Sequence, residues 1–158
     1  RMNQKVHVAR VFEICVEKGS ELATCDGKNS KFKGRAVFEG SDVKDENCDH
    51  ALFNETGSSP ATMAAGKAVD AWGLQPGFDI QQADAKSAYT QTELKGTPTW
   101  VRLPYDRWPK EWHGKYTDPV VRLRLALYGH PDAGTYWEQH AEKHFVSKGF
   151  VPIDDWRS

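Results

Sequence analysis

The chain has no apolar run approaching the roughly 20 residues that a membrane-spanning helix needs, so a helical membrane protein is excluded from its reading. Cysteine is sparse as well. Cys15, Cys25 and Cys48 make three, an odd number at irregular spacing, which fits reduced thiols and not a disulfide framework. Cys48 and His50 make at most half of a zinc site, because no paired CxxC accompanies them. There is no basic surplus either: 21 Lys and Arg stand against 22 Asp and Glu, a net charge of −1. Composition alone therefore does not point to nucleic acid, whose phosphates are met by clustered cations. The opening RMNQKVHVARVFEIC lacks the apolar core and small-residue cleavage site of a secretory signal. It reads as if cut from a longer chain and predicts an intracellular context.

What is present describes one soluble globular domain or part of one: 158 residues, 39% hydrophobic and 27% charged. The charges are unevenly spread. Residues 51–100 hold only Lys67, Lys86 and Lys95 against five acids, so phosphate contacts are expected from the flanks, which hold the other eighteen basic residues.

Lys5 to Glu17 alternates β-branched and polar residues, and Lys31 to Glu39 is a second short run. CDGKNS between them is turn chemistry, with Gly27 free to take positive φ, so a β-hairpin is predicted. Gly40 to Ser59 is polar and holds the acidic cluster Asp42, Asp45, Glu46 and Asp49, which predicts a loop. Ser58, Ser59 and Pro60 offer an N-cap and a first-turn proline for a helix over ATMAAGKAVDAW, stopped by Gly73 and Pro76. Phe78, Ile80 and Gln82 predict a strand running into Asp84. A short helical stretch follows, then a strand TWVRLP, a tryptophan-rich connection, a strand VVRLRL and a helix from about Asp132 to Ser147. Of the six tryptophans, Trp72 and Trp137 are expected in the core, and Trp108 and Trp112 over a loop. The order β-β-α-β-α-β-β-α predicts an α+β fold with a mixed or antiparallel sheet.

QQADAKSAYTQTEL, with Asp84, Ala85, Lys86, Ser87, Ala88, Tyr89 and Leu94, resembles the first catalytic motif of copia-like retrotransposon reverse transcriptases. VVRLRLALYGHPDAGTYWEQHAEKHFVSKGF resembles a second block of that family, matching it directly at Ala126, Leu127, Tyr128, Gly129 and Trp137. KGRAVFEG, Lys33 to Gly40, resembles its fingers strand, and WVRLP, Trp100 to Pro104, stands where it has a short strand and prolines. The four blocks occur in the family's order over about residues 31 to 155. Where the family has Lys-Gln-Ala-Pro after the glycine, this chain has His130-Pro131-Asp132-Ala133-Gly134.

The resemblance implies the fingers and palm part of a right-hand polymerase fold, truncated before the thumb. About 1–77 would be fingers-like, with hairpin and helix, and about 78–158 the start of the palm. It implies an RNA-directed DNA polymerase of a Pol polyprotein, which joins dNTPs to a primer 3′-hydroxyl on an RNA or DNA template with two Mg²⁺ ions. Asp84 would be a catalytic metal ligand. Lys33, Arg35, Ala85, Tyr89 and Gly129 would bind the dNTP: the cations at its triphosphate, and Tyr89 beneath the sugar, against a 2′-hydroxyl. Asp154 and Asp155 lack the tyrosine and flanking apolar strands of the family's Tyr-x-Asp-Asp motif. With one carboxylate the fragment is expected to bind Mg²⁺ weakly and to be inactive alone. The alternative is a degenerate, non-enzymatic remnant that binds nucleic acid or a protein partner.

Overall fold

The computed structural model describes residues 4–18, 31–53 and 61–153. The expected turn with Gly27, the caps Ser58, Ser59 and Pro60, and Asp154, Asp155 and Trp156 lie outside them. Four strands, β1 His7–Lys18, β2 Lys31–Phe38, β3 Thr99–Arg102 and β4 Val120–Arg122, join two helices, α1 Met63–Gly73 and α2 Ala133–Ser147. Single 3₁₀ turns occupy Ala88–Gln91, Tyr105–Arg107 and Lys110–Trp112. The result is a small α+β protein with a mixed sheet ordered β2-β1-β3-β4.

The hairpin read from the alternating runs is present: β1 and β2 are antiparallel, from Val11 opposite Phe38 to Lys18 opposite Lys31. The start of β1 pairs parallel to β3, which pairs antiparallel to β4. The halves on either side of residue 77 therefore contribute to one sheet.

Because successive strand residues point to opposite faces, the register sorts the side chains. Ala9, Val11, Phe38, Val101 and Val121 share the inner face, where Ala9, Phe38, Val43 and Val101 form the buried core. Leu103, Leu123, Leu127, Ala51 and Phe53 pack against it. Val43 and Phe53 come from the predicted polar loop. That stretch is irregular as expected, but it is pinned to β1 by paired backbone bonds of 2.8 Å between Val8 and Lys44, which carry Val43 into the core.

Three expectations are corrected. α1 is capped by Thr62, whose Oγ1 accepts the Ala65 N–H at 3.1 Å, a bond of about 1 kcal/mol for a helix start. Phe78 to Gln82 is not a strand. Phe78 packs edge-on to Trp72, Ile80 lies against Gly73, and the Ile80 N–H is taken by the Asp79 carboxylate at 2.9 Å. These side chains are used in folding the segment back on the end of α1, and no neighbouring strand pairs with it. Trp72 is accordingly 61% exposed rather than core, and α1 buries none of its residues.

Candidate functional site

The segment after β4 is held from both sides. The Leu94 N–H donates to the Arg124 carbonyl at 2.9 Å and the Ala126 N–H to the Thr92 carbonyl at 2.8 Å, about a bridge between Glu93 and Leu125. Two residues on, the Tyr128 carbonyl accepts the Phe38 N–H at 2.7 Å. Pairing thus joins residues 92–94, the segment after β4 and the end of β2. Gly129 then turns with φ +87°, and a Cβ there would run into the Phe38 carbonyl and lie 2.9 Å from Val37 Cγ1. What this glycine admits closely is the chain's own backbone.

Three of the expected dNTP residues meet at this junction. The Arg35 guanidinium lies over the Tyr128 ring, 5.5 Å from its centroid. Tyr89 meets Tyr128 edge-on with ring centroids 4.8 Å apart, and Gly129 is the next residue. Both contacts are attractive, the first through charge on the ring face and the second through edge-to-face geometry. Lys33 projects on the same strand face as Arg35, opposite Val16, and is exposed.

Asp84 and Ala85 are placed differently. The strand expected to deliver Asp84 to the sheet edge is absent, and both residues stand exposed in a segment without regular structure. Order returns just after them. Ser87 takes a left-handed φ of 52°, its carbonyl accepts the Thr90 hydroxyl at 2.9 Å, and the Lys86 carbonyl accepts Gln91 Nε2 at 2.7 Å. Among the described residues no group of three or more His, Cys, Asp or Glu is placed to hold a metal ion. Asp84 thus stands outside any cluster of three ligating side chains, and a Mg²⁺ ion there would take its remaining oxygen ligands from water or from a substrate phosphate. Cys48 and His50 are both exposed, and His50 lies beside Lys44 and Asp42.

A second cluster, absent from the expected site residues, is built around His130 and Asp132 just before α2. His130 is only 6% exposed, its ring 4.8 Å from Phe38 and edge-on to Phe53 at 5.7 Å. Its Nδ1 accepts the Asp132 backbone N–H at 3.1 Å. The neutral ring therefore carries its hydrogen on Nε2, which is buried without a partner. Burial, reinforced by nearby His7, pushes the imidazole down to about 4. Burial also lowers His7 against the pull of Asp132, and raises the Asp132 carboxyl. These groups line a cleft of about 230 Å³ with Phe53, Lys95 and Tyr136. The Tyr136 hydroxyl donates to the Lys95 carbonyl at 2.9 Å, and burial followed by the Asp132 charge raises it.

No family model, no curated protein and no solved structure matches the chain.

Proposed function

We propose that the chain is a fingers-and-palm portion of a copia-like reverse transcriptase, part of a Pol polyprotein, that receives the incoming dNTP beside β2. The observation that carries this reading is the meeting of Arg35, Tyr128 and Tyr89, contributed by three separate sequence blocks and joined by ring contacts of 5.5 and 4.8 Å. Arg35 and Lys33 supply cationic donors for a triphosphate, Arg as a planar fork. Tyr89 offers a ring edge on which a deoxyribose packs and a 2′-hydroxyl collides. Mg²⁺ chemistry belongs to the intact polymerase, where further carboxylates would join Asp84.

The test is to append a palm segment carrying Tyr-x-Asp-Asp and measure Mg²⁺-dependent dNTP incorporation on a primer-template. Incorporation that Asp84→Asn abolishes and Arg35→Ala lowers supports the reading. No incorporation, or an unaffected Asp84→Asn variant, sinks it.

A second reading, a non-enzymatic remnant that binds nucleic acid or a protein partner, is favoured by the exposed, irregular setting of Asp84. A primer-template titration at increasing salt addresses it. A falling affinity with a log-log slope marks phosphate contacts, and a flat line argues against them.

A further inference from the structure

The pleat that places the core on one face of the sheet leaves the other with a one-sided charge. On β1 the outer face carries Arg10, Phe12, Ile14, Val16 and Lys18, and on β2 Lys31, Lys33, Arg35 and Val37. The corresponding positions of β3 and β4 add Trp100, Arg102, Val120 and Arg122. No Asp or Glu lies on this face among the described strand residues, whereas the inner face of β1 holds Glu13 and Glu17. The segregation is complete within the sheet.

Beyond Arg10, β1 leaves β3 and continues with β2 alone as a two-stranded ribbon. Phe12, Ile14 and Val16 form a row along it, 42%, 40% and 50% exposed. Lys18 and Lys31 face each other at its far end, with Lys33 directly opposite Val16. Neither helix covers the row: α2 packs on the turn at Ala88–Gln91, and α1 has no buried residue. A lone two-stranded ribbon is marginally stable in water until one face is covered. A contiguous exposed apolar row is the usual mark of a protein contact.

We infer that the outer face of this ribbon is a docking surface for an acidic amphipathic helix of a partner protein. The apolar row runs over four residue steps, about 13 Å at the strand rise of ~3.3 Å. That matches about nine residues, or two and a half turns, of helix at 1.5 Å per residue. A helix with leucines at the i, i+3, i+4 and i+7 positions fills the row, and Glu or Asp beside them meets Lys18, Lys31 and Lys33 across the ~4.8 Å between strands. Charge complementarity selects the sign of the partner. Towards the lysine end of the row, Ile14 and Val16 offer no π-face on which a base stacks, which favours protein over nucleic acid there. The inference stands on the register of the sheet and shares Lys33 with the proposed nucleotide site, so a bound helix and a dNTP would compete there.

The probe is a synthetic helix with that leucine spacing and Glu flanks, titrated by fluorescence anisotropy into the 158-residue chain. The same helix with Lys flanks and an oligothymidylate are run beside it. The Glu helix is expected to bind, and the Lys helix to bind at least about tenfold more weakly. Ile14→Asp is expected to weaken the Glu helix by about tenfold or more through lost apolar burial. Lys31→Glu should weaken it by about three- to tenfold, an effect that added salt erases. Circular dichroism of both variants checks that the ribbon persists, and Lys31→Glu tests the surface even if Ile14→Asp unfolds. Equal binding of the Lys helix, no binding of either helix, or oligothymidylate binding indifferent to Ile14→Asp with no response to the Glu helix would each overturn the proposal.

Discussion

Arg124 to His130, which contains Tyr128, and Phe78 to Lys86, which precedes Tyr89 in the chain, are held in different ways. The first is fixed by its backbone: Arg124, Ala126 and Tyr128 each bond to a neighbouring segment, Ala126 is fully buried, and Gly129 touches β2. The second is held by side chains folded onto the end of α1, and at Asp84 and Ala85 it is exposed. Backbone pairing is cooperative and tolerates no intrusion, while a side-chain anchor leaves the chain beyond it free to respond to a ligand. Arg35, Tyr89 and Gly129, the residues proposed for the nucleotide, thus rest on the rigid region, and the metal-ligand candidate rests on the other.

The largest expected effect breaks the rigid side. Gly129→Ala should lower stability by roughly 3 kcal/mol or more, since it adds the ~1–3 kcal/mol cost of a left-handed non-glycine backbone to a collision with the Phe38 carbonyl. Gly77→Ala is the control. Gly77 has a similar φ of +90° but open space around its Cβ position, so only the backbone cost of about 1–2 kcal/mol applies. Urea unfolding of the two variants measures the difference. Equal losses would show that Gly129 is not pressed against β2.

Next in size is the response to acid. The folded His130 titrates near 4 against 6.5 in the unfolded chain, so between those values the unfolded chain binds a proton that the folded one refuses. Stability is full above about pH 6.5 and is lost as pH falls towards 4, by up to about 3 kcal/mol at 1.36 kcal/mol per pH unit. The lowered His7 acts in the same direction. The raised Asp132 opposes both, because above pH 3.8 the unfolded chain releases a proton that the folded carboxyl keeps. His130→Asn retains an acceptor for the Asp132 N–H and should remove most of the slope in urea midpoints taken from pH 7 to 4. A slope unchanged in that variant would place the titrating group elsewhere.

A smaller effect sharpens the junction itself. Tyr128→Leu should cost about 1–2.5 kcal/mol, the sum of an edge-to-face pair with Tyr89 at ~0.5–1.5 and a cation–π contact with Arg35 at ~0.5–1. A double-mutant cycle with Tyr89→Leu should return a coupling of about 1 kcal/mol. Additive losses would mean that the two rings do not support each other.

How much of this was legible in the sequence follows the same division. The β1–β2 hairpin, β3 and α2 were readable because alternation and helical spacing are local signals, and Thr62 was overlooked only because Ser58, Ser59 and Pro60 offered an equally good cap nearby. Phe78 to Gln82 misled for a physical reason: Phe78 and Ile80 carry strand periodicity, but a strand also needs a neighbour, and their contact with Trp72 and Gly73 depends on where α1 ends. Val43 was illegible within an acidic loop because the bridge from its neighbour Lys44 to Val8, 36 residues earlier, places it in the core. In the candidate site, the approach of Arg35 to Tyr128 joins residues 93 positions apart, so the motif blocks could name both residues without showing their contact. The burial of His130 was not legible, because it depends on Phe38 and Phe53, which lie 92 and 77 positions earlier in the chain.

The smallest expected effect bears on the open side. Asp84 is exposed and outside any regular element, so Asp84→Asn should leave the urea midpoint of the 158-residue chain unchanged within measurement error. Surface substitutions away from a cap or ion pair rarely move it. The same substitution should leave Mg²⁺ binding by this chain unchanged, because one carboxylate does not assemble the oxygen shell that the ion takes. Isothermal titration with Mg²⁺ at low ionic strength reads this directly. If the native chain binds Mg²⁺ and Asp84→Asn abolishes that binding while stability holds, the segment from Phe78 to Lys86 must close on further ligands when the ion arrives. The open region would then be the moving half of the site, with the backbone-fixed junction at Tyr128 as the surface it closes upon.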